Sequence, residues 1–256
     1  MTYTLDVFWR PREESAAACA AHLKEMFERL AAIHPVFAHW KQQGETEDEA
    51  QLPLCAMPPR SDELAKIFEE NISRDDEDEA WPELGYSLSA WNELDEYRGT
   101  FFNAKTGAFN ADLAEPNNIF FQLGDPRPEN RDFLNADVLG KALIAIAESW
   151  DADWGVVEIW DDDRRSQDSE GHVLRPWAGW LTYLSPDCAL EVSVPPGASS
   201  RRLRDGGLLI EVTREQFDAD NPAHVAVFDA VQASLHGLQL KRMQEFRRSR
   251  IEDDDP

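Results

Sequence analysis

The stretch RPWAGWLTYLS, residues 175–185, is the most informative segment of this 256-residue chain for its fold. As an extended strand it would carry apolar side chains on both faces: Trp177, Leu181 and Tyr183 on one, Trp180 and Leu184 on the other. This pattern predicts a central strand covered on both sides, in which Gly179 allows a close backbone crossing or a bulge. Trp and Tyr also anchor protein interfaces, so a contact surface is the alternative interpretation.

Outward from this segment, strand-like and helical patterns come in runs. Segments rich in β-formers predict strands at Tyr3–Trp9, 84–92, 99–109, 117–123, Trp154–Trp160 and Leu208–Thr213. Apolar stripes and helix-start signals predict helices over Ser15–Ile33, 35–43, 61–73, Leu139–Trp150 and from Pro222 onward. Residues 193–207 are expected to form an irregular link. Because no βαβ alternation persists, the predicted fold class is α+β, an antiparallel or mixed β-sheet with helices packed against it.

Polar residues before two of these helices are candidate caps. Ser61 or Asp62 is expected to cap the helix over 61–73, and Asp220 or Asn221 the last one. The chain is long enough for a substantial core, and no linker divides it. We therefore expect one α+β domain over residues 1–240. The charged C-terminal tail, 241–256, is expected to extend the last helix or to be disordered.

The charge of the chain limits its partners. It carries 50 acidic and 25 basic residues, a formal net charge of −25. Such a charge repels nucleic acid and anionic membranes, and it attracts basic partners and steers them towards the protein. The alternative is that the acidic surface only keeps the protein in solution. We expect no nucleic-acid and no membrane partner. The strand-like start, the lack of a long apolar run and three widely spaced cysteines favour a cytoplasmic location.

Motifs for catalysis and cofactor binding are missing from the sequence. There is no phosphate loop, glycine-rich dinucleotide turn or HExxH motif. His34 and His39 are close in sequence but lack a third ligand at metal spacing. Asp161, Asp162 and Asp163 could hold Mg²⁺, although such a run is more typical of a solvated turn. The sequence thus predicts no catalytic residue, no metal and no cofactor.

Six segments together resemble a known family. They occur in order as VFWRPREES (7–15), HPVFAHW (34–40), LGYSLSAWN (84–92), AESWDADWGVV (147–157), AGWLTYLS (178–185) and VTREQFDADNPAHV (212–225). Over nearly the whole chain, this set resembles the immunity protein 52 family of bacterial polymorphic toxin systems. The resemblance implies a cytoplasmic, non-enzymatic antidote that binds a cognate toxin. Such toxins often carry a restriction-endonuclease-like nuclease domain and are delivered by contact-dependent or type VI secretion.

Two acidic runs are the candidate toxin-binding residues. They are Asp75, Asp76, Glu77, Asp78 and Glu79, and Asp161, Asp162 and Asp163. A nuclease needs a basic groove for phosphates, and an acidic protein can occupy or shield that groove. Solvated loops that serve only solubility are the alternative for these runs. Two other functions stay open for the chain: a small-ligand-binding regulatory module, and an enzyme with an unrecognised carboxylate site.

Overall fold

The computed structural model describes residues 2–43, 46–92, 99–110, 116–160 and 176–238. These residues form a nine-stranded sheet: β1 Thr2–Trp9, β2 Lys41–Gln42, β3 Tyr86–Asn92, β4 Thr100–Thr106, β5 Asn117–Leu123, β6 Trp154–Trp160, β7 Leu181–Leu184, β8 Ser199–Arg202 and β9 Leu208–Glu211. The strand order is β2-β3-β4-β5-β1-β6-β7-β9-β8, and each of these pairs is antiparallel. The predicted α+β class is confirmed. The prediction allowed an antiparallel or a mixed sheet, and the described sheet is antiparallel.

The helices of the described ranges are α1 Ala16–Ile33, α2 Glu47–Ala50, α3 Ser61–Glu70, α4 Ala136–Ser149, α5 Pro186–Ala189 and α6 Pro222–Leu235. Helices α1 and α4 lie against one face of the sheet, and the Phe27 ring of α1 is 5.7 Å from that of Phe102 on β4. The stripe of α1 that includes Leu23, Phe27 and Leu30 is fully buried, as its spacing predicts. Helix α4 packs on β1, β6, β7 and β9. A Cβ at Gly155 of β6 would lie 2.9 Å from Leu143 Cδ1, so glycine permits this close approach.

Side-chain caps start the two helices whose beginnings are clearest in the sequence. The Ser15 side chain accepts a hydrogen bond from the Ala18 amide at 3.2 Å and begins α1. At α6, Asn221 accepts from the Ala223 amide at 3.0 Å, with Pro222 in the first turn. For α3 the cap prediction is wrong. Arg60 occupies the cap position without a side-chain bond, and Ser61 is already helical.

Three element predictions differ from the structure. The helix predicted over 35–43 is a 3-10 turn at Pro35–Phe37, followed by β2. The predicted irregular link over 193–207 contains β8, whose four side chains are all exposed. An exposed strand has no apolar face, so its sequence lacks the alternation that marks a strand. The strand predicted through residues 177–184 forms ladder pairs only from Leu181 to Leu184.

The described part of the aromatic stretch, residues 176–185, belongs to the core. Trp180 is 1% exposed, and its Nε1 donates a hydrogen bond to the Thr213 carbonyl at 2.7 Å. The predicted alternation is wrong before Leu181. The Trp177 ring lies 4.3 Å from that of Trp154, which pairs with Leu184, so Trp177 and Leu184 lie on the same face. Gly179 interrupts the strand at this point.

Gly179 lies outside the ladder, in a tight contact with β6. Its amide donates to Thr182 Oγ1 at 3.0 Å instead of to a neighbouring strand. A Cβ at this position would lie 2.4 Å from the Val157 carbonyl oxygen. The close backbone approach expected from the sequence is therefore present, and it is the reason the side-chain alternation does not extend to Trp177.

Trp180→Ala should lower the free energy of unfolding by about 3–5 kcal/mol, because it removes a buried indole and its hydrogen bond. Urea unfolding followed by circular dichroism measures this change. The matched control is Trp81→Ala. That side chain is 40% exposed, so its replacement should cost about 1 kcal/mol or less. Equal stability losses in the two variants would contradict the assignment of Trp180 to the core.

Candidate protein-binding surface

The first acidic run forms a short hairpin between α3 and β3. Arg74 and Ala80 form an antiparallel bridge, and the Asp75 amide donates to the Glu79 carbonyl at 3.0 Å. The Trp81 amide donates to the Ser73 carbonyl at 2.8 Å and continues the pairing. We call residues 74–80 the acidic hairpin. Its backbone is fixed by these bonds, so its side chains project from a defined position.

Two of the five acids shape this hairpin. Asp75 Oδ1 accepts hydrogen bonds from the amides of Glu77 at 3.0 Å and Glu79 at 2.9 Å, and so closes the turn. Asp78 has a positive φ of 64°, a conformation that Asp tolerates better than most residues. Arg74 supports Asp78, with Nη1 donating to its carbonyl at 2.7 Å. Asp75 and Asp78 therefore hold the backbone in place.

The other three acids and a tryptophan make the hairpin a candidate contact surface. Asp76, Glu77 and Glu79 are exposed, and none has a side-chain partner within the described ranges. Trp81, directly after the hairpin, is 40% exposed. A large exposed aromatic beside free carboxylates suits a protein contact better than it suits solubility alone. Trp81 was not predicted, because a single Trp before a proline carries no periodic signal.

The second acidic run, Asp161, Asp162 and Asp163, lies outside the described residues. It directly follows β6, which ends at Trp160. Its role in binding stays a prediction.

Two of the sequence segments behind the family resemblance meet at one end of β1. The Arg10 amide donates to Asp153 Oδ2 at 2.9 Å, and its guanidinium lies 3.3 Å from Asp151. Arg12 donates to the Trp150 carbonyl at 3.1 Å. Asp153 has a side chain only 3% exposed, so this contact is part of the interior. We interpret the cluster as a structural connection between β1 and the end of α4.

Glu14 and His22 extend this connection from α4 to α1. His22 Nε2 lies 3.0 Å from Glu14 Oε1, and its Nδ1 lies 2.8 Å from the Ser149 carbonyl. Both partners are acceptors, so both contacts are hydrogen bonds only when the imidazole is protonated. The bond to Glu14 raises the pKa of His22 despite burial. Burial would raise the pKa of Glu14, but His22 and Arg12 outweigh it and lower that pKa.

Histidines, acids and thiols are the groups in the described ranges that could bind a metal or act as a nucleophile. Within them, no group of three or more His, Cys, Asp or Glu side chains could hold a metal ion. His34 instead accepts from the Val36 amide at 3.2 Å and caps a 3-10 turn. Burial raises the pKa of Cys19 to about 12 and of Cys55 to about 11, which keeps these thiols protonated. No helix in the described ranges has the length and apolar character needed to cross a membrane.

Comparison with known proteins relates the chain to a family and to a fold. A family model described as immunity protein 52 matches residues 1–243. No curated protein matches the chain. Among solved structures, the Pseudomonas aeruginosa T6SS protein PA0821 is similar, with 12% identity and a TM-score of 0.52 over 100% of this chain and 86% of that chain. At this identity the likeness shows the fold alone.

His22→Gln should reduce stability in a pH-dependent way. The stabilisation from protonated His22 is complete below the usual pKa of 6.5 and is lost as pH rises through the higher folded value. The contribution of Glu14 is present above its usual 4.5 and is lost as pH falls through the lower folded value. The difference in unfolding free energy between wild type and variant should therefore be largest between these values.

Urea unfolding at about pH 5.5, below the usual His22 pKa of 6.5, and at about pH 9, well above that usual value, tests this. Lost packing of the imidazole on the Trp150 ring, whose centroid is 5.1 Å away, contributes equally at both. His39→Gln, on an exposed histidine, is the control. A stability loss in His22→Gln that is the same at both pH values would contradict a protonated His22.

Proposed function

Because this chain belongs to the immunity protein 52 family, we propose that it binds a cognate secreted toxin in the cytoplasm of the producing cell and neutralises it. The observation that carries this proposal is the family match over residues 1–243. The T6SS protein with a similar fold supports delivery of the toxin by type VI secretion. Residues 1–240 act as one binding domain in this proposal, without turnover of a substrate.

The toxin in this proposal is a nuclease with a restriction-endonuclease-like fold. Such an enzyme must hold phosphates in a basic groove. A protein with a net charge of −25 is attracted to that groove over a distance and associates with it quickly. The charge therefore supports a basic toxin, and occupation or shielding of its nucleic-acid groove is the proposed mode of inhibition.

The acidic hairpin is the proposed site of first contact. Asp76, Glu77 and Glu79 face the toxin, and Asp75 and Asp78 hold the hairpin in shape. Asp161, Asp162 and Asp163 are the second proposed contact. Trp81 provides an apolar anchor beside the first set, where it would lose its solvent exposure on binding.

Co-expression should abolish the toxicity of the toxin domain encoded by the neighbouring gene. Colony counts after induction of the toxin, with and without this protein, measure the rescue. An unrelated acidic protein of similar net charge is the control, because it separates specific binding from a general effect of charge. Continued killing at matched expression, with the protein in the supernatant, would contradict the proposed function.

The triple variant Asp76→Asn, Glu77→Gln, Glu79→Gln should associate more slowly with the toxin domain. These charges act before contact and are screened over a Debye length of about 8 Å at physiological ionic strength. The rise of association rate at low salt should therefore become shallower, while the dissociation rate changes less. Stopped-flow association measured across a salt series gives both quantities.

The control triple variant is Glu215→Gln, Asp220→Asn, Asp229→Asn. It removes the same net charge from exposed residues that follow β9 in the chain and lie outside the acidic hairpin. Its association rate should stay closer to that of wild type. If both triple variants show the same salt slope, the net charge of the whole protein steers binding and the hairpin has no special role.

A further inference from the structure

The helices of the described ranges leave the second face of the sheet open at β3, β4 and β5. Its side chains form three cross-strand rows: Trp91–Phe101–Gln122, Ser89–Asn103–Phe120 and Ser87–Lys105–Asn118. All nine are exposed or partly exposed, whereas the alternate residues Leu88, Ala90, Phe102, Ala104 and Phe121 are buried on the helix side. We call these nine residues the open face.

The composition of the open face is that of an interface centre. It has three aromatic residues and one charged residue among nine, in a chain that is 10% aromatic and 29% charged. The centres of protein interfaces are enriched in aromatics and depleted in charge. Neither Trp91 nor Phe101 is among the described residues that pack against the buried core. Core packing therefore does not account for these two aromatics.

Two of these aromatics are presented in different ways. Trp91 is held in position, with Nε1 donating to the Gln42 carbonyl at 3.2 Å and Lys41 Nζ 5.2 Å from its ring centroid. Phe101, beside it on β4, makes no ring contact with another described residue. The fixed Trp91 is a preorganised apolar anchor, since its side chain loses little freedom when a partner covers it.

Acidic segments lie at both ends of β3, the strand at the border of this face. At one end, the Ser73 amide donates to the Gly85 carbonyl at 2.9 Å, which joins the acidic hairpin to the start of β3. At the other end, β2 pairs with β3 and leads to α2, where Asp48 is exposed. Carboxylates therefore flank a face of low charge, as a polar rim flanks an interface centre.

We propose that the open face is the centre of the toxin interface, with the acidic hairpin and α2 at its rim. This rests on the proposed function. The occupant is the cognate toxin, through an apolar surface with basic residues on either side. A second copy of this chain does not fit, because each copy would bring its own carboxylates to the rim. The aromatics then set the dissociation rate, and the acids set the association rate.

The test measures binding of the catalytically inactivated toxin domain from the neighbouring gene by surface plasmon resonance. Phe101→Ala should raise Kd about thirty-fold or more, mainly through faster dissociation, with an unchanged salt slope of association. The matched control is Leu190→Ala, because Leu190 is 80% exposed and lies after α5, away from the open face. It should change Kd less than about two-fold.

A second measurement does not depend on the stability of a variant. A photo-crosslinking phenylalanine analogue placed at position 101 should form a covalent product with the toxin domain, and the same analogue at position 190 should not. If wild type binds but Phe101→Ala binds equally well, or position 101 does not crosslink, the open face is not the interface and the proposed function stands. If wild type does not bind the toxin domain, both proposals are overturned.

Discussion

The position of β1 in the sheet is the constraint on which the rest of the structure depends. Its residues from Thr2 to Phe8 pair with β6, and those from Tyr3 to Trp9 pair with β5. Strands β2 to β5 lie on one side of it and β6 to β9 on the other. Among the described residues, the two halves of the sheet are joined through this strand. Its buried side chains on both faces make that position favourable, since each face loses contact with water.

The sequence predicts elements well where one face is buried. The bounds of β5 and β6 match the prediction because their apolar residues alternate or run together. β8 and β2 were missed because one is wholly exposed and the other has two residues. The order of strands joins residues far apart in the chain. Local pattern contains no information on such pairing, so β1 as the middle strand could not be foreseen.

The candidate site was predicted in part, for a related reason. Composition identifies the run Asp75 to Glu79, but it does not separate the two acids that hold the turn from the three that face outward. That distinction depends on the direction of Asp75 Oδ1 towards two backbone amides. The sequence alone does not predict the open face, because its aromatics Trp91, Phe101 and Phe120 belong to different strands. Only the register of the sheet makes them neighbours.

The two ends of the sheet have a consequence for how copies of this chain meet at high concentration. An unpaired strand edge offers free amides and carbonyls to any other strand. Here the terminal strands have two residues in β2 and four in β8, and β8 carries Arg201 and Arg202. Short edges with like charges are poor templates for pairing. A wide sheet with such ends is a poor starting point for growth into fibrils.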